Sequence, residues 1–236
     1  MNNTFDIRRF GRLVRHDVRS CPSEWRFTGL WFATLFTPLM VITQPLFGAG
    51  TVGTFYRIAL MISMIAFYGM MVPMYVYPNV GKKKRGIYFA MLPATKAEKH
   101  AAMATVAMVV APVVLIAIGL ACDVLLTAVH LPGYNKYFWQ SGTWHAVTLP
   151  MVVGVGLTFV GAVFGSMYAN TIRHKSLRYL VYAFIWAWLI VGLVAIPIAL
   201  DGEDAEGFYW VVIAIDAAVA LFFAWLSRRK MDKMSY

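Results

Sequence analysis

The sequence predicts an all-α protein, a polytopic integral membrane protein with six transmembrane helices and an amphipathic interfacial helix at its N-terminus. Hydrophobic residues make up 60% of the 236 residues, charged residues only 14%, and the mean hydropathy is +0.65. A soluble fold of this size has too little interior for so much apolar surface, so the excess is expected to face lipid. The charges also stand in short clusters between long uncharged runs, as repeated membrane crossings require.

Six apolar segments meet or approach the roughly 20 residues that a helix needs to cross about 30 Å of hydrocarbon. We expect residues 25–227 to form one six-helix transmembrane domain, followed by a basic cytoplasmic tail at 228–236. The spans are predicted at residues 25–47, 56–77, 100–130, 146–171, 179–200 and 208–227.

The distribution of lysine and arginine orients these spans. Of the 21 cationic residues, 19 lie in the N-terminal segment, the second and fourth connections and the C-terminal tail. The fifth connection carries Asp201, Glu203, Asp204 and Glu206 and no lysine or arginine. Because cationic loops stay on the cytoplasmic side, we expect both termini to be cytoplasmic, in a multi-pass protein of a cell membrane such as the bacterial inner membrane.

Residues 1–24 form the predicted interfacial helix. Within residues 5–19, apolar side chains recur on one helical face and arginines occupy the rest of the circumference. Such a helix buries its apolar face in the lipid interface and places its arginines among anionic headgroups, so membrane lipid is an expected partner. A solvated basic arm that only fixes topology is the alternative. The residues expected to carry the interfacial role are Phe10, Arg12, Leu13 and Arg15.

The second connection, residues 78–99, combines a basic cluster with a run of apolar residues. Because this segment is held between two spans, it is suited to dock a cytosolic partner, although a loop that lies on lipid is the alternative. Thr95 and Glu98 then have the T-x-x-E spacing of a capping box, which predicts the start of the third span. The candidate docking residues are Lys82, Lys83, Lys84, Arg85, Ile87, Tyr88, Phe89, Met91 and Leu92.

The run from Met91 to Lys99 resembles the Leu-Pro-x-Ser/Thr-Lys/Arg stretch that follows the second span of ABC-2-type transporter permeases. The general plan is similar too, with a basic N-terminal helix, six spans and cytoplasmic termini. One departure is that only about seven residues separate the fifth and sixth spans, where many relatives insert re-entrant helices.

This resemblance implies a transmembrane subunit of an ATP-driven exporter, which moves an amphipathic or lipid-like substrate or a peptide. The implied partners are a cytosolic ABC ATPase subunit, which binds ATP and Mg, and a second copy of the chain or a related permease. Residues 82–94 would couple the ATPase to the spans, and residues 5–19 would pack beside them. A non-transporting scaffold or assembly subunit that docks a cytosolic partner is the alternative.

Several other signals carry little weight. Gly48, Gly50 and Gly53 match G-x-G-x-x-G, but the motif needs a soluble βαβ unit. Thr54 and Phe55 replace the Lys-Ser/Thr pair of a phosphate-binding loop, so we expect no ATPase activity, no enzyme activity and no cofactor in this chain. The charge pattern and histidine spacing also argue against nucleic acid and a bound metal.

Two features inside the spans remain open in function. Asp216 lies about 12 Å into the sixth span, where a lone carboxylate is costly. It is expected either to be hydrogen-bonded inside the bundle or to line a substrate path. In the fourth span, Gly161 and Gly165 form a G-x-x-x-G pair, which serves either internal packing or a moving interface.

Overall fold

A computed structural model of the chain describes residues 5–20, 22–47, 61–63, 65–73, 94–130, 149–172, 174–199 and 205–232. These ranges are almost entirely helical and contain no strand, which confirms the all-α prediction. The helices are α1 (Ile7–Ser20), α2 (Pro22–Phe47), α3 (Met61–Pro73, described at 61–63 and 65–73), α4 (Lys96–Ala128), α5 (Leu149–Asn170), α6 (Lys175–Ala199) and α7 (Ala205–Asp232).

Three helical stretches in the described ranges are long and apolar enough to cross a membrane. They are Lys96–Ala128, Val152–Asn170 and Trp210–Met231, which belong to α4, α5 and α7. The stretches Gly29–Ile42 in α2 and Met61–Pro73 in α3 are apolar but shorter.

Large apolar side chains point away from the protein on several helices. Ile42 of α2, Leu180 of α6 and Leu221 of α7 are each about two-thirds exposed or more, and the exposed set also includes Trp210 and Phe222. So many exposed large apolar side chains are unfavourable in water and favourable in lipid. The described helices are therefore compatible with a protein embedded in a membrane.

Helix α5 packs closely against α7. A Cβ atom built on Gly161 would lie 3.5 Å from the Cα atom of Ala220, so the two helix backbones approach each other closely there. On the next turn, a Cβ atom on Gly165 would lie 2.8 Å from the Cδ1 atom of Ile185 in α6. Both glycines of the G-x-x-x-G pair thus lie at helix contacts within the chain, as the internal-packing interpretation predicts.

A π-helical turn at Val106–Val110 interrupts the α-helical hydrogen bonding of α4. The Ala111 N–H group donates to the Val106 carbonyl, five residues earlier. Pro112 follows directly, and a proline has no N–H group and clashes with the carbonyl four residues before it. The wider turn accommodates the proline, so α4 continues without a break for 33 residues.

Candidate functional site

The site lies at one end of the helix bundle, which we call the basic end. This end contains α1, the start of α4, the start of α6 and the last turns of α5 and α7, and cationic residues cluster in its sequence. One buried apolar cluster joins the basic-end parts of the bundle through Val72 of α3, Met103 of α4, Met167 of α5 and Met231 of α7.

Helix α1 packs partly on protein. Leu13 is buried, and Val14 and Val18 pack against the apolar cluster that contains Met103 and Val106 of α4. The predicted helix is therefore present, and part of its apolar face is covered by the chain itself, which the sequence pattern did not indicate. The other three residues that were predicted to carry the interfacial role differ from Leu13 in exposure. Phe10 is half-buried, and Arg12 and Arg15 are exposed.

Glu98, at the start of α4, is completely buried and connects this helix to α1. Its Oε1 atom accepts a hydrogen bond of 2.7 Å from the Asp6 backbone N–H group, and the Arg9 Nη2 atom lies 3.2 Å from the same oxygen. Its Oε2 atom accepts a hydrogen bond of 2.7 Å from the Thr95 N–H group. The Glu98 N–H group donates to Thr95 Oγ1, which completes the predicted capping box.

These contacts explain how the carboxylate tolerates burial. A buried charge is costly unless hydrogen bonds and an opposite charge compensate it. Glu98 receives two backbone N–H groups and one guanidinium, and its place in the first turn of α4 also favours a negative charge. One side chain therefore fixes the start of α4 and the start of α1 together.

A second polar link joins α3, α5 and α6. The Asn170 side-chain amide donates a hydrogen bond of 2.8 Å to the carbonyl of Pro73, the last described residue of α3. The Tyr182 hydroxyl of α6 donates a hydrogen bond of 2.8 Å to Asn170 Oδ1. Both side chains are buried, so the amide satisfies two polar groups that water does not reach.

A third link joins α4, α5 and α7. His100 Nε2 and the buried Ser227 hydroxyl of α7 lie 2.9 Å apart. The His100 ring stacks on the Phe164 ring of α5, with centroids 5.8 Å apart and planes at 8°. The first turns of α4 are therefore held by three neighbouring helices.

The candidate docking residues lie between two of these links. Residues 74–93 are outside the described ranges, and so are all nine docking candidates: Lys82, Lys83, Lys84, Arg85, Ile87, Tyr88, Phe89, Met91 and Leu92. The residues on either side are described. Pro73 on one side and Thr95 on the other both take part in the hydrogen bonds given above.

Asp216 of α7 lies away from the basic end and is buried, with 2% of its surface exposed. The Thr158 hydroxyl of α5 donates a hydrogen bond of 2.7 Å to Asp216 Oδ2 and lies 3.0 Å from the Gly154 carbonyl. Asp216 is therefore hydrogen-bonded inside the bundle, and its place on a substrate path remains a prediction. Where side chains are described, no group of three or more His, Cys, Asp or Glu residues could hold a metal ion.

Comparison with known proteins gives no match to a protein-family model, to a curated protein or to a solved structure. The resemblance to ABC-2-type permeases therefore rests on residues 91–99 and on the order of helices and charges.

Proposed function

We propose that this chain is the transmembrane permease subunit of an ATP-driven exporter of the ABC-2 type. In this proposal α2 to α7 are the six spans, and the basic end faces the cytoplasm of a bacterial cell. A cytosolic ABC ATPase subunit supplies ATP hydrolysis, and a second copy or a related permease completes the transport unit. The substrate class is an amphipathic molecule, a lipid or a peptide.

The observation that carries the proposal is the anchoring on both sides of the docking segment. If the docking segment is taken as residues 82–94, Pro73 lies nine residues before it and is bonded to Asn170, and Thr95 follows it directly and is bonded to Glu98. A segment whose flanking residues are bonded to neighbouring helices can pass displacement to those helices, whereas a segment with unbonded flanking residues would absorb it. The geometry supports a role in which a partner that binds the docking segment displaces the spans on either side of it.

The coupling also has a thermodynamic requirement. A partner can shift a membrane protein between two conformations only if it binds the two with different affinity. Displacement of the segment reaches α1 through Glu98, and it reaches α5 and α6 through Asn170. Through these contacts, a bound partner can stabilise one arrangement of several helices relative to another.

Co-purification of the tagged full chain from native membranes tests the partner. We expect mass spectrometry of the purified complex to identify an ATPase with a phosphate-binding loop. After reconstitution in liposomes, the complex should hydrolyse ATP faster than the ATPase alone and should move substrate. An ATPase that co-purifies but shows no stimulated turnover and no transport would favour the scaffold function instead.

A further inference from the structure

The carboxyl group of Asp216 lies in the contact between α5 and α7. Its Oδ2 atom is 2.7 Å from Thr158 Oγ1 of α5, and each of the two residues has only 2% of its surface exposed. One turn nearer the basic end, a Cβ atom built on Gly161 would lie 3.5 Å from the Cα atom of Ala220. Two closely packed helices therefore enclose the carboxyl group.

Asp216 differs from the other buried carboxyl group described above, that of Glu98. Glu98 receives two backbone N–H groups and the guanidinium of Arg9. Within the part of the chain that the structure describes, the carboxyl group of Asp216 has one hydrogen-bond partner, Thr158, and no cationic group within 4 Å. A negative charge at Asp216 would therefore be buried without the compensation that Glu98 has.

More distant charges do not supply this compensation. Helices α5, α6 and the first part of α4 pack against α7, and α5 contains no charged residue. On α4, His100 contacts Ser227, which stands 11 residues or about 16 Å along α7 from Asp216. On α6, the charged residues start six residues beyond Phe184, whose ring contacts Phe223. The charged residues beyond these two contacts, toward the basic end, are Lys96, Glu98, Lys99, Lys175, Arg178, Arg228, Arg229 and Lys230. The charged residues toward the other end of these helices are both carboxylic: Glu206, ten residues before Asp216, and Asp123, 23 residues after His100.

The oxygens around Thr158 fit a protonated Asp216. The Thr158 hydroxyl has one hydrogen, and its oxygen lies 2.7 Å from Asp216 Oδ2 and 3.0 Å from the Gly154 carbonyl oxygen. With a charged Asp216, that hydrogen goes to Oδ2 and is the one hydrogen bond to a buried charge. With a protonated Asp216, the carboxyl O–H group donates to Thr158 Oγ1, and the Thr158 hydroxyl donates to the Gly154 carbonyl. Each hydrogen then has an acceptor of its own.

We propose that Asp216 is a proton-binding site inside the helix bundle. At neutral pH its carboxyl group holds a proton and donates a hydrogen bond to Thr158, which joins α7 to α5 without a charge between them. Because the two helices enclose the group, its proton exchanges with water only when the contact between α5 and α7 opens. The inference is independent of the proposed export function.

Infrared spectroscopy of the full chain in dodecyl maltoside at neutral pH tests the site, because a protonated carboxyl group has a C=O stretching band that a carboxylate lacks. We expect the unmodified chain to show such a band and Asp216→Asn to lose it. Glu98→Gln is the matched control and should remove no such band, since the charge of Glu98 is compensated. Thr158→Val keeps Asp216 and should shift the band to higher frequency, because the carboxyl O–H group loses its acceptor.

Transfer of the protein into D₂O tests the enclosure, because the band shifts when deuterium replaces the proton. Gly161→Val should speed this exchange about tenfold, since the added methyl groups meet Ala220 and make the contact easier to open. Gly156→Val, where a Cβ atom has no neighbour within 4 Å, should leave the rate within about twofold.

Two results would overturn the proposal. Identical carboxyl bands in the unmodified chain and Asp216→Asn would show that Asp216 is charged, and equal exchange rates in the two glycine variants would show that α5 and α7 do not enclose the proton. If Asp216→Asn does not fold, Thr158→Val decides, and an unshifted spectrum of that variant rejects the site.

Discussion

Glu98 of α4 and Arg9 of α1 form an ion pair of 3.2 Å in which the carboxylate is fully buried and the guanidinium is partly exposed. The two residues are far apart in sequence, and each lies close to the start of its helix. The pair therefore makes the position of the N-terminal helix depend on the position of the third predicted span.

We expect Glu98→Ala to lower the free energy of unfolding by about 2 kcal/mol, because it leaves the partly buried N–H groups of Thr95 and Asp6 without an acceptor. Thermal and denaturant unfolding of the detergent-purified chain measure this change. Asp6→Asn is the comparison: it keeps the backbone N–H group that Glu98 uses and a side chain that caps α1, and it removes only the carboxylate charge 3.6 Å from Arg9 Nε. A loss for Glu98→Ala no larger than that for Asp6→Asn would show that the Glu98 hydrogen bonds contribute little to stability.

Asn170→Leu should destabilise the protein more than Tyr182→Phe. The first change leaves both the Pro73 carbonyl and the Tyr182 hydroxyl without their bond, for a cost of about 2 kcal/mol. The second removes one hydroxyl and should cost about 1 kcal/mol. Unfolding curves of both variants give the order. Because Tyr179 is exposed, the control variant Tyr179→Phe should change the free energy of unfolding by close to zero. The reverse order would argue against the link between α3 and α5.

The combined change Ile87→Asp, Phe89→Asp and Leu92→Asp should abolish association with the ATPase, because it places charge on the apolar docking candidates. Membrane insertion should persist, since the substitutions lie outside the predicted spans. Pull-down with the co-purified ATPase and membrane fractionation measure the two properties. Val129→Asp, at an exposed residue beyond the other end of α4, should leave association intact. Full association of the triple variant with the ATPase would show that the docking site lies outside these three residues.

Asp216→Asn should reduce export more than it reduces expression if the carboxylate lies on the transport path. Asparagine keeps an oxygen that accepts the Thr158 hydrogen bond, so we expect little change in stability. Thr158→Val removes the donor and should cost about 1 kcal/mol or more. Expression, thermal unfolding and export by reconstituted protein are compared for the two variants. Parallel loss of expression and export in Asp216→Asn would assign the residue a structural role.

Gly161→Val should destabilise the chain by about 1–3 kcal/mol, because the added methyl groups meet the backbone of Ala220 at the contact between α5 and α7. Gly156→Val is the control on the same helix, since a Cβ atom built there has no neighbour within 4 Å. Thermal unfolding of both variants in one detergent gives the comparison. A larger effect at Gly156 would contradict the close approach of the two helices.

Local patterns in the sequence predicted the local parts of the fold. Hydropathy located the helices, and the spacing of Thr95 and Glu98 located the start of α4. The contacts between helices were not predictable in this way, because a periodic pattern does not say which faces meet. The Glu98 bond to Asp6 spans 92 positions, and the Asn170 bond to Pro73 spans 97. The π-helical turn, by contrast, has a local signal in the sequence, because Pro112 follows it and cannot donate an α-helical hydrogen bond.

That turn has a consequence for how α4 meets its neighbours. A π-helical turn holds one residue more than an α-helical turn, so the side chains on its two sides are offset by about 100° relative to an uninterrupted α-helix. Before the turn, Met103 contributes to the cluster that Val14 of α1 joins. After it, Leu115 contributes to the cluster with Phe32 of α2 and Tyr68 of α3. The helix α4 therefore turns different faces toward its neighbours before and after the π-helical turn. Rotation of the part before the turn would also redirect the side chains of the part after it.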